Sequence, residues 1–350
     1  MADRTLCKTG LMLRAFVVLG IVTVGIAGGS RDSRSDDCSS YEGRPFGERA
    51  PWNVPVASLA THPESREYVR RLWEGGSDRP GNFNLRFDSY TYPVYHARNA
   101  TGFVRVATQW EANIDKQEIP WNPKWRPAQG SDAQLIILDP ETGREWDLFQ
   151  VSFDDEVLSA THGNLVPGDY RTREVGFKPS RGAGIPYLAM LVRGQEILQG
   201  RIPHALGLPV RDTDGFSFWP PATKLEFPGR MKNGIPEGIR FALKATDTEI
   251  EQWLDNLPHE VPEAMRNSAR VIATALREFG WFVVDTSGAA GFQFESRLTA
   301  EVCWKAAGLS EIEIDDKVYP RDLLDGLLVP DRIVTVVPSN EYPDALRARP

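Results

Sequence analysis

Short runs of β-branched and aromatic residues recur along the chain, and no other feature constrains its fold as strongly. Turn-forming residues separate them, and the 350 residues include 30 glycines and 26 prolines. Many short strands at such spacing favour an all-β domain, either a β-sandwich or a jelly roll, over alternating strand–helix–strand units. The predicted strands are residues 83–87, 90–95, 102–109, 134–138, 146–153, 186–192, 281–285, 291–295 and 332–337.

Two segments have the apolar spacing of helices instead. Residues 63–74 predict a short N-terminal helix, and residues 262–279 predict one packed helix in the C-terminal half that ends at Gly280. The sequence Asp-Pro-Glu-Thr-Gly at 139–143 predicts a turn between two antiparallel strands, because proline fixes φ and glycine accepts a positive φ.

The N-terminus has the pattern of a targeting segment. Basic residues precede an apolar run at 15–29 that ends in small residues, as in a signal peptide, whereas the same stretch counted from residue 11 approaches the length of an uncleaved membrane anchor. We expect an extracellular, secreted protein that contacts a membrane only if this segment stays attached. The expected organisation is a signal peptide or anchor at 1–29, a disordered leader at 30–49, a β-sandwich domain at 50–295 and a C-terminal extension at 296–350 that packs on the same domain.

Charge and cysteine content limit the partners. A net charge of −8 disfavours nucleic acid and anionic membranes, since polyanion binding needs clustered Lys and Arg, and fits a neutral or cationic ligand better. Cys7 belongs to the targeting segment, so Cys38 and Cys303 either form a disulfide or remain unpaired. No Cys-x-x-Cys or His-Glu-x-x-His sequence occurs and the five histidines are scattered, so neither a metal nor another cofactor is expected.

One candidate catalytic pair lies in the stretch 145–150, which is predicted to be extended as part of a strand. Side chains two apart share a strand face, so Glu145 and Asp147 would project together, as the paired carboxylates of glycoside-cleaving enzymes do. The stretch Glu-Trp-Asp-Leu-Phe-Gln resembles the Glu-x-Asp-x-x-Glu strand of the laminarinase-type β-glucanases. It departs at Gln150, which stands where that family has its acid/base glutamate and could only contact substrate. The alternative is a solvated strand edge.

A second candidate is His204. In the segment 181–208, Ile202, His204, Leu206 and Leu208 alternate with other residues, which puts the histidine on the apolar face of a predicted strand. If that face lines a cleft, a neutral imidazole could act as a general base; otherwise His204 is a hydrogen-bonded core residue.

Further residues are candidates for substrate binding. Glycine after His162 permits an exposed turn, and Arg173 downstream could bind a carboxylate; a polar loop is the alternative. Trp110 and Trp219 could stack on sugar rings, with Asp132 as a polar contact, although such indoles also serve as ordinary packing residues.

Four segments together resemble a group of secreted bacterial proteins that share the same order of motifs. The segments read GAGIPYLAMLVRGQEILQGRIPHALGL (182–208), PPATKLE (220–226), GIPEGIRFALK (234–244) and ARVIATALREFGWFVVDTSG (269–288). The resemblance implies a single β-rich extracellular domain and transfers no catalytic residue.

These observations favour a secreted carbohydrate-active protein, either a glycoside hydrolase or a polysaccharide lyase acting on an extracellular polysaccharide or oligosaccharide. A noncatalytic lectin-like or surface-adhesion domain is the alternative, because Gln150 replaces the expected acid. Whether the protein is an enzyme stays open at this point.

Overall fold

A computed structural model describes residue 38 and residues 43–154, 156–176 and 180–338. The described part is rich in strands, which are β1 (Asn84–Arg86), β2 (Val94–His96), β3 (Gly102–Thr108), β4 (Glu118–Trp121), β5 (Leu135–Asp139), β6 (Arg144–Phe149), β7 (Ser152–Phe153), β8 (Val157–Ala160), β9 (His162–Leu165), β10 (Leu206–Val210), β11 (Thr213–Phe218), β12 (Ile235–Glu237), β13 (Arg240–Leu243), β14 (Trp281–Thr286), β15 (Gly291–Gln293), β16 (Ile312–Ile314), β17 (Lys317–Tyr319) and β18 (Ile333–Val336). Its α-helices are α1 (Ser65–Gly75), α2 (Gly194–Leu198), α3 (Asp247–Asp255), α4 (Glu263–Glu278) and α5 (Arg297–Ala306).

The strands form mixed sheets. The larger sheets have the strand orders β10-β14-β13-β18, β2-β5-β6-β9 and β4-β3-β8-β7, and the smaller ones are β1-β15, β11-β12 and β16-β17. Parallel pairs such as β10–β14 and β3–β8 lie beside antiparallel pairs such as β5–β6. The predicted turn at 139–143 is confirmed: the Asp139 carboxylate accepts the N–H of Glu141 at 3.1 Å, and Gly143 has φ 69°.

Two halves of the fold differ in how their sheets are covered. Sheets β2-β5-β6-β9 and β4-β3-β8-β7 share one apolar core, which includes Val106, Leu135 and Leu158. Helices α1, α3, α4 and α5 instead bury their apolar faces in the same cluster as residues of β10, β13 and β14. A third cluster, around Tyr187 and Phe282, lies where the segment 183–191 is buried.

The structure corrects several expectations from the sequence. Residues 186–192 are not a strand apart from a bridge between Val192 and Phe294, and the strand expected through His204 begins only at Leu206. Every residue of 186–192 is buried, so the apolar run reflects complete enclosure rather than one face of a sheet. Both predicted helices are confirmed as α1 and α4, but α2, α3 and α5 are additional.

Segments near both ends of the described residues pack into the fold. Phe46 is buried although it falls in the segment expected to be a disordered leader, and β18 extends the sheet through β13. Cys38 is joined to Cys303 of α5 by a disulfide, with 5.4 Å between the Cα atoms. The targeting segment lies outside the described residues, among which no helix has both the length and the apolar character to cross a bilayer.

Candidate functional site

Glu145 and Asp147 form a closed acid pair on β6. Both side chains are buried; Glu145 Oε1 accepts the N–H of Leu188 at 2.9 Å, and Asp147 Oδ2 accepts that of Tyr187 at 3.0 Å. Burial and then the Asp147 charge raise the pKa of Glu145 well above its usual value, and burial raises the pKa of Asp147. The remaining oxygens, Glu145 Oε2 and Asp147 Oδ1, are buried and have no hydrogen-bond donor among the described residues. The pair is thus not a solvated strand edge, and its complete burial leaves no exposed face for a substrate.

Arg181 is a buried cation whose positive charge acts on this closed acid pair. Its guanidinium is buried, donates to the carbonyl oxygens of Pro186 and Tyr187, the latter at 2.7 Å, and lies 5.1 Å from the centre of the Tyr92 ring. Its charge acts to lower the pKa values of the closed acid pair and of Asp285. One buried cation therefore adjoins two separate sets of carboxyl groups.

His204 is enclosed and satisfied. It has no exposed surface, its Nδ1 lies 2.8 Å from the carbonyl oxygen of Ala205, and its Nε2 lies 3.0 Å from Oε1 of Glu196 in α2. Burial lowers the pKa of His204, but the charge and hydrogen bond of Glu196 outweigh it and raise the pKa above its usual value. Among the hydrogen bonds of the described residues, none joins His204 to Glu145. The alternative from the sequence, a hydrogen-bonded core residue, therefore describes His204.

Three carboxyl groups from distant parts of the chain meet at a second place, which we call the acidic cluster: Glu226, Glu237 and Asp285. The N–H of Thr286 donates to Glu226 Oε2 at 2.7 Å and to Asp285 Oδ1 at 3.1 Å. The N–H of Glu226 donates in turn to Glu237 Oε2 at 3.1 Å. Asp285 and Glu226 are partly exposed residues, unlike the two members of the closed acid pair, while Glu237 is buried.

Gly182 allows the acidic cluster to sit against the backbone. A Cβ atom at this position would lie 2.2 Å from Asp285 Oδ1 and 2.5 Å from the Glu226 carboxyl carbon. Any larger residue would displace the two carboxyl groups, since carbon and oxygen atoms do not approach this closely.

Burial raises the pKa values of two members of the acidic cluster, Asp285 and Glu237. Burial, then the charge of Glu226 and a hydrogen bond to it, raise the pKa of Asp285 well above its usual value. Burial raises the pKa of Glu237 to about 7. Glu237 is only 1% exposed, and its Oε1 has no hydrogen-bond partner among the described residues. Among all the described residues, no group of three or more His, Cys, Asp or Glu side chains is arranged to hold a metal ion.

Several residues expected to bind substrate lie near this cluster. The positive charge of Lys224, an exposed side chain, helps to lower the pKa values of both His162 and Glu237, after the larger effect of burial on His162. The exposed Trp110 ring lies 6.1 Å from the His162 ring. Burial and then the charge of Glu226 raise the pKa of Asp132.

Gln150 and the two remaining candidates have other surroundings. The N–H of Gln150 donates to the Asp132 carbonyl oxygen at 2.8 Å, so this residue adjoins the same region. Arg173 instead bonds through its Nε to the carbonyl oxygen of Val175, and Trp219 packs 5.0 Å from the His62 ring. These contacts give Arg173 and Trp219 local packing roles.

Sequence reasoning missed the acidic cluster because its members are isolated acids far apart in the chain. A signal was present: Gly182, Glu226, Glu237 and Asp285 each fall in a different one of the four segments that carry the resemblance to secreted bacterial proteins. No protein-family model matches the chain, and no curated protein or solved structure matches it significantly.

Proposed function

We propose that this chain is a secreted carbohydrate-active protein that hydrolyses a neutral or cationic glycan at the acidic cluster. The observation that supports it is Asp285, a partly exposed residue in the acidic cluster whose carboxyl pKa is held well above its usual value by burial and by Glu226. A carboxyl group with a raised pKa keeps its proton to a higher pH, and a protonated carboxyl group can donate to a leaving group, which is the role of the general acid in glycoside hydrolysis.

The proposed reaction uses two carboxyl groups. Asp285 gives its proton to the glycosidic oxygen as the bond to the anomeric carbon breaks. Asp132 takes a proton from a water molecule whose oxygen forms the new bond to that carbon. Asp132 is the second group because Glu226 influences it electrostatically, while no hydrogen bond joins Asp132 to the cluster among the described residues. Glu237 positions Glu226 through the backbone hydrogen bond and acts as a positioning residue.

Charge decides between hydrolysis and elimination. A polysaccharide lyase must neutralise the carboxylate of a uronate, whereas this region gathers four carboxyl groups, Asp132 and the acidic cluster. Of the cations that act on them, Arg181 is buried, Arg86 is partly buried and Lys224 is exposed. A neutral sugar, or one with an amino group, meets less repulsion there. Exposed rings such as Trp110 would stack on it.

Noncatalytic, lectin-like binding is the second candidate. The observation in its favour is that Thr286 and Glu226 already occupy hydrogen-bonding positions of the Asp285 carboxyl, as expected for groups fixed to hold sugar hydroxyls.

The β-sandwich arrangement belongs to the same proposal: we place it at residues 94–165, where the two larger strand-only sheets share a core. Secretion and the resemblance to secreted bacterial proteins also stay predictions.

A polysaccharide panel separates the candidates. Purified protein is incubated with laminarin, xylan, chitosan and polygalacturonate, and three signals are followed: reducing ends, absorbance of unsaturated uronates, and retardation in gels that contain each polymer. The proposal expects reducing ends from a neutral or cationic polymer. Retardation without cleavage supports lectin-like binding, and uronate absorbance supports a lyase; either result rejects hydrolysis.

A further inference from the structure

The acidic cluster adjoins a strip of exposed aromatic side chains, which we call the aromatic strip: Phe216, Phe218 and Phe227. Their exposed fractions are 62%, 41% and 44%. Large apolar side chains normally lose most of their surface on folding, so three such rings in one region indicate a surface that contacts a ligand.

The backbone connects this strip directly to the cluster. Phe218 on β11 is the register partner of Glu237 on β12, and the N–H of Trp219 donates to the Glu237 carbonyl oxygen at 2.7 Å. Phe227 follows Glu226 in sequence. The loop that carries Phe227 is held against β11, because the N–H of Gly229 donates to the Gly215 carbonyl oxygen at 2.8 Å.

The exposed rings of β11 lie along one short stretch of chain. Phe216, Ser217 and Phe218 are all exposed, at a place where the pairing of β11 with β12 is irregular between Thr213 and Phe218. Exposed polar groups, Ser217 and Lys224, lie among or beside them. Alternation of apolar rings and polar groups matches the apolar faces and hydroxyl groups of successive sugars rather than a uniformly apolar surface.

A second exposed ring adjoins the same cluster by a different route. The Trp110 ring lies 6.1 Å from the His162 ring, and His162 Nε2 lies 3.4 Å from Asn164 Nδ2. Asn164 also donates to Ser180 Oγ at 3.4 Å, two residues before Gly182, which lies against the cluster. The aromatic strip reaches Glu237 through β11. A single sugar bound at the cluster would contact only part of this surface.

We propose that the aromatic strip and Trp110 bind successive sugars of one polysaccharide chain on either side of the acidic cluster, so that the protein acts within a polymer rather than on a short oligosaccharide. This inference rests on the proposed function and specifies its substrate as an extended chain.

The test compares chain lengths with a matched surface control. Binding of laminarin, xylan and chitosan, and of the disaccharide of each, is measured by titration calorimetry for the wild type, for Phe216→Ser/Phe218→Ser and for Phe103→Ser. Phe103 is 74% exposed but lies on β3. We expect the double variant to bind the preferred polymer roughly tenfold more weakly, to bind its disaccharide as the wild type does, and Phe103→Ser to change neither.

Distinct outcomes would overturn the inference. Unchanged polymer binding by the double variant, with a wild type that binds the polymer, rejects the aromatic strip and leaves the proposed function standing. A wild type that binds the disaccharide more tightly than the polymer also rejects the aromatic strip and leaves the proposed function standing. If the double variant loses binding to phosphatidylcholine–phosphatidylglycerol vesicles but keeps its glycan binding, the strip is a lipid contact and the inference is wrong. A wild type that binds no glycan rejects both proposals.

Discussion

The pH dependence of stability should report directly on Glu237. Burial raises the pKa of this carboxyl group from 4.5 to about 7, with a smaller rise from the charge of Glu226 and opposing effects from the Glu226 N–H and Lys224. In the unfolded chain the group ionises near 4.5, so between these values the folded protein binds one more proton. The stability contributed by the neutral group is fully present below the unfolded pKa and is lost as the pH rises to about 7, in all ~3 kcal/mol.

Glu237→Gln removes this titration and keeps a carbonyl oxygen that can accept the Glu226 N–H. We expect wild type and variant to differ little at about pH 4, and the variant to be more stable by up to ~3 kcal/mol at about pH 8, because no charge then has to be buried. Urea unfolding across this range measures the difference, and Glu48→Gln at an exposed position controls for the change in net charge. Stability curves that run parallel for wild type and Glu237→Gln would refute the reasoning.

Three further changes test the structural assignments. His204→Ala should destabilise the fold by about 3 kcal/mol, since it removes the hydrogen-bond partner of the buried Glu196 Oε1, and urea unfolding that matches the wild type would contradict a structural role for this contact. Gly182→Ala should lower both stability, by about 1–3 kcal/mol, and glycan cleavage, because its Cβ meets Asp285, while Gly288→Ala, which meets no atom within 4 Å, should change neither; equal effects in the two would reject the close approach. Cys303→Ser should cost about 2–5 kcal/mol in the same unfolding assay, and no loss would show that the disulfide does not form.

Local features of the fold follow from the sequence, because they depend on neighbouring residues. The turn at 139–143 is specified by its proline and by Gly143. Helix α4 is specified by its apolar spacing and by Gly280, which follows its end. The segment 186–192 was mistaken for a strand, since a loop enclosed on all sides has the same unbroken apolar composition as a buried strand. Helix α5 buries mainly Ala300, Cys303 and Trp304, too few large apolar residues to give a clear stripe.

The candidate site depends on contacts between distant segments. A spacing of two on a strand correctly brings Glu145 and Asp147 together, but nothing in that spacing reveals that the 181–190 segment covers them. The acidic cluster joins Glu226 to Asp285 across 59 positions of sequence, through a backbone N–H that no motif specifies. His162 and Trp110 became candidates from the sequence because turn glycines and aromatic residues carry a local signal.

Kinetics of Asp285→Asn test the central claim most directly. The amide keeps the size of the carboxyl group but cannot donate the proton, so kcat on the preferred polysaccharide should fall at least ~100-fold, while Asp316→Asn, at an exposed turn, should behave as the wild type. Unchanged far-ultraviolet circular dichroism checks that the variant is folded. If Asp285→Asn cleaves the polymer at the wild-type rate, the acidic cluster is not where the chemistry occurs and the account is wrong.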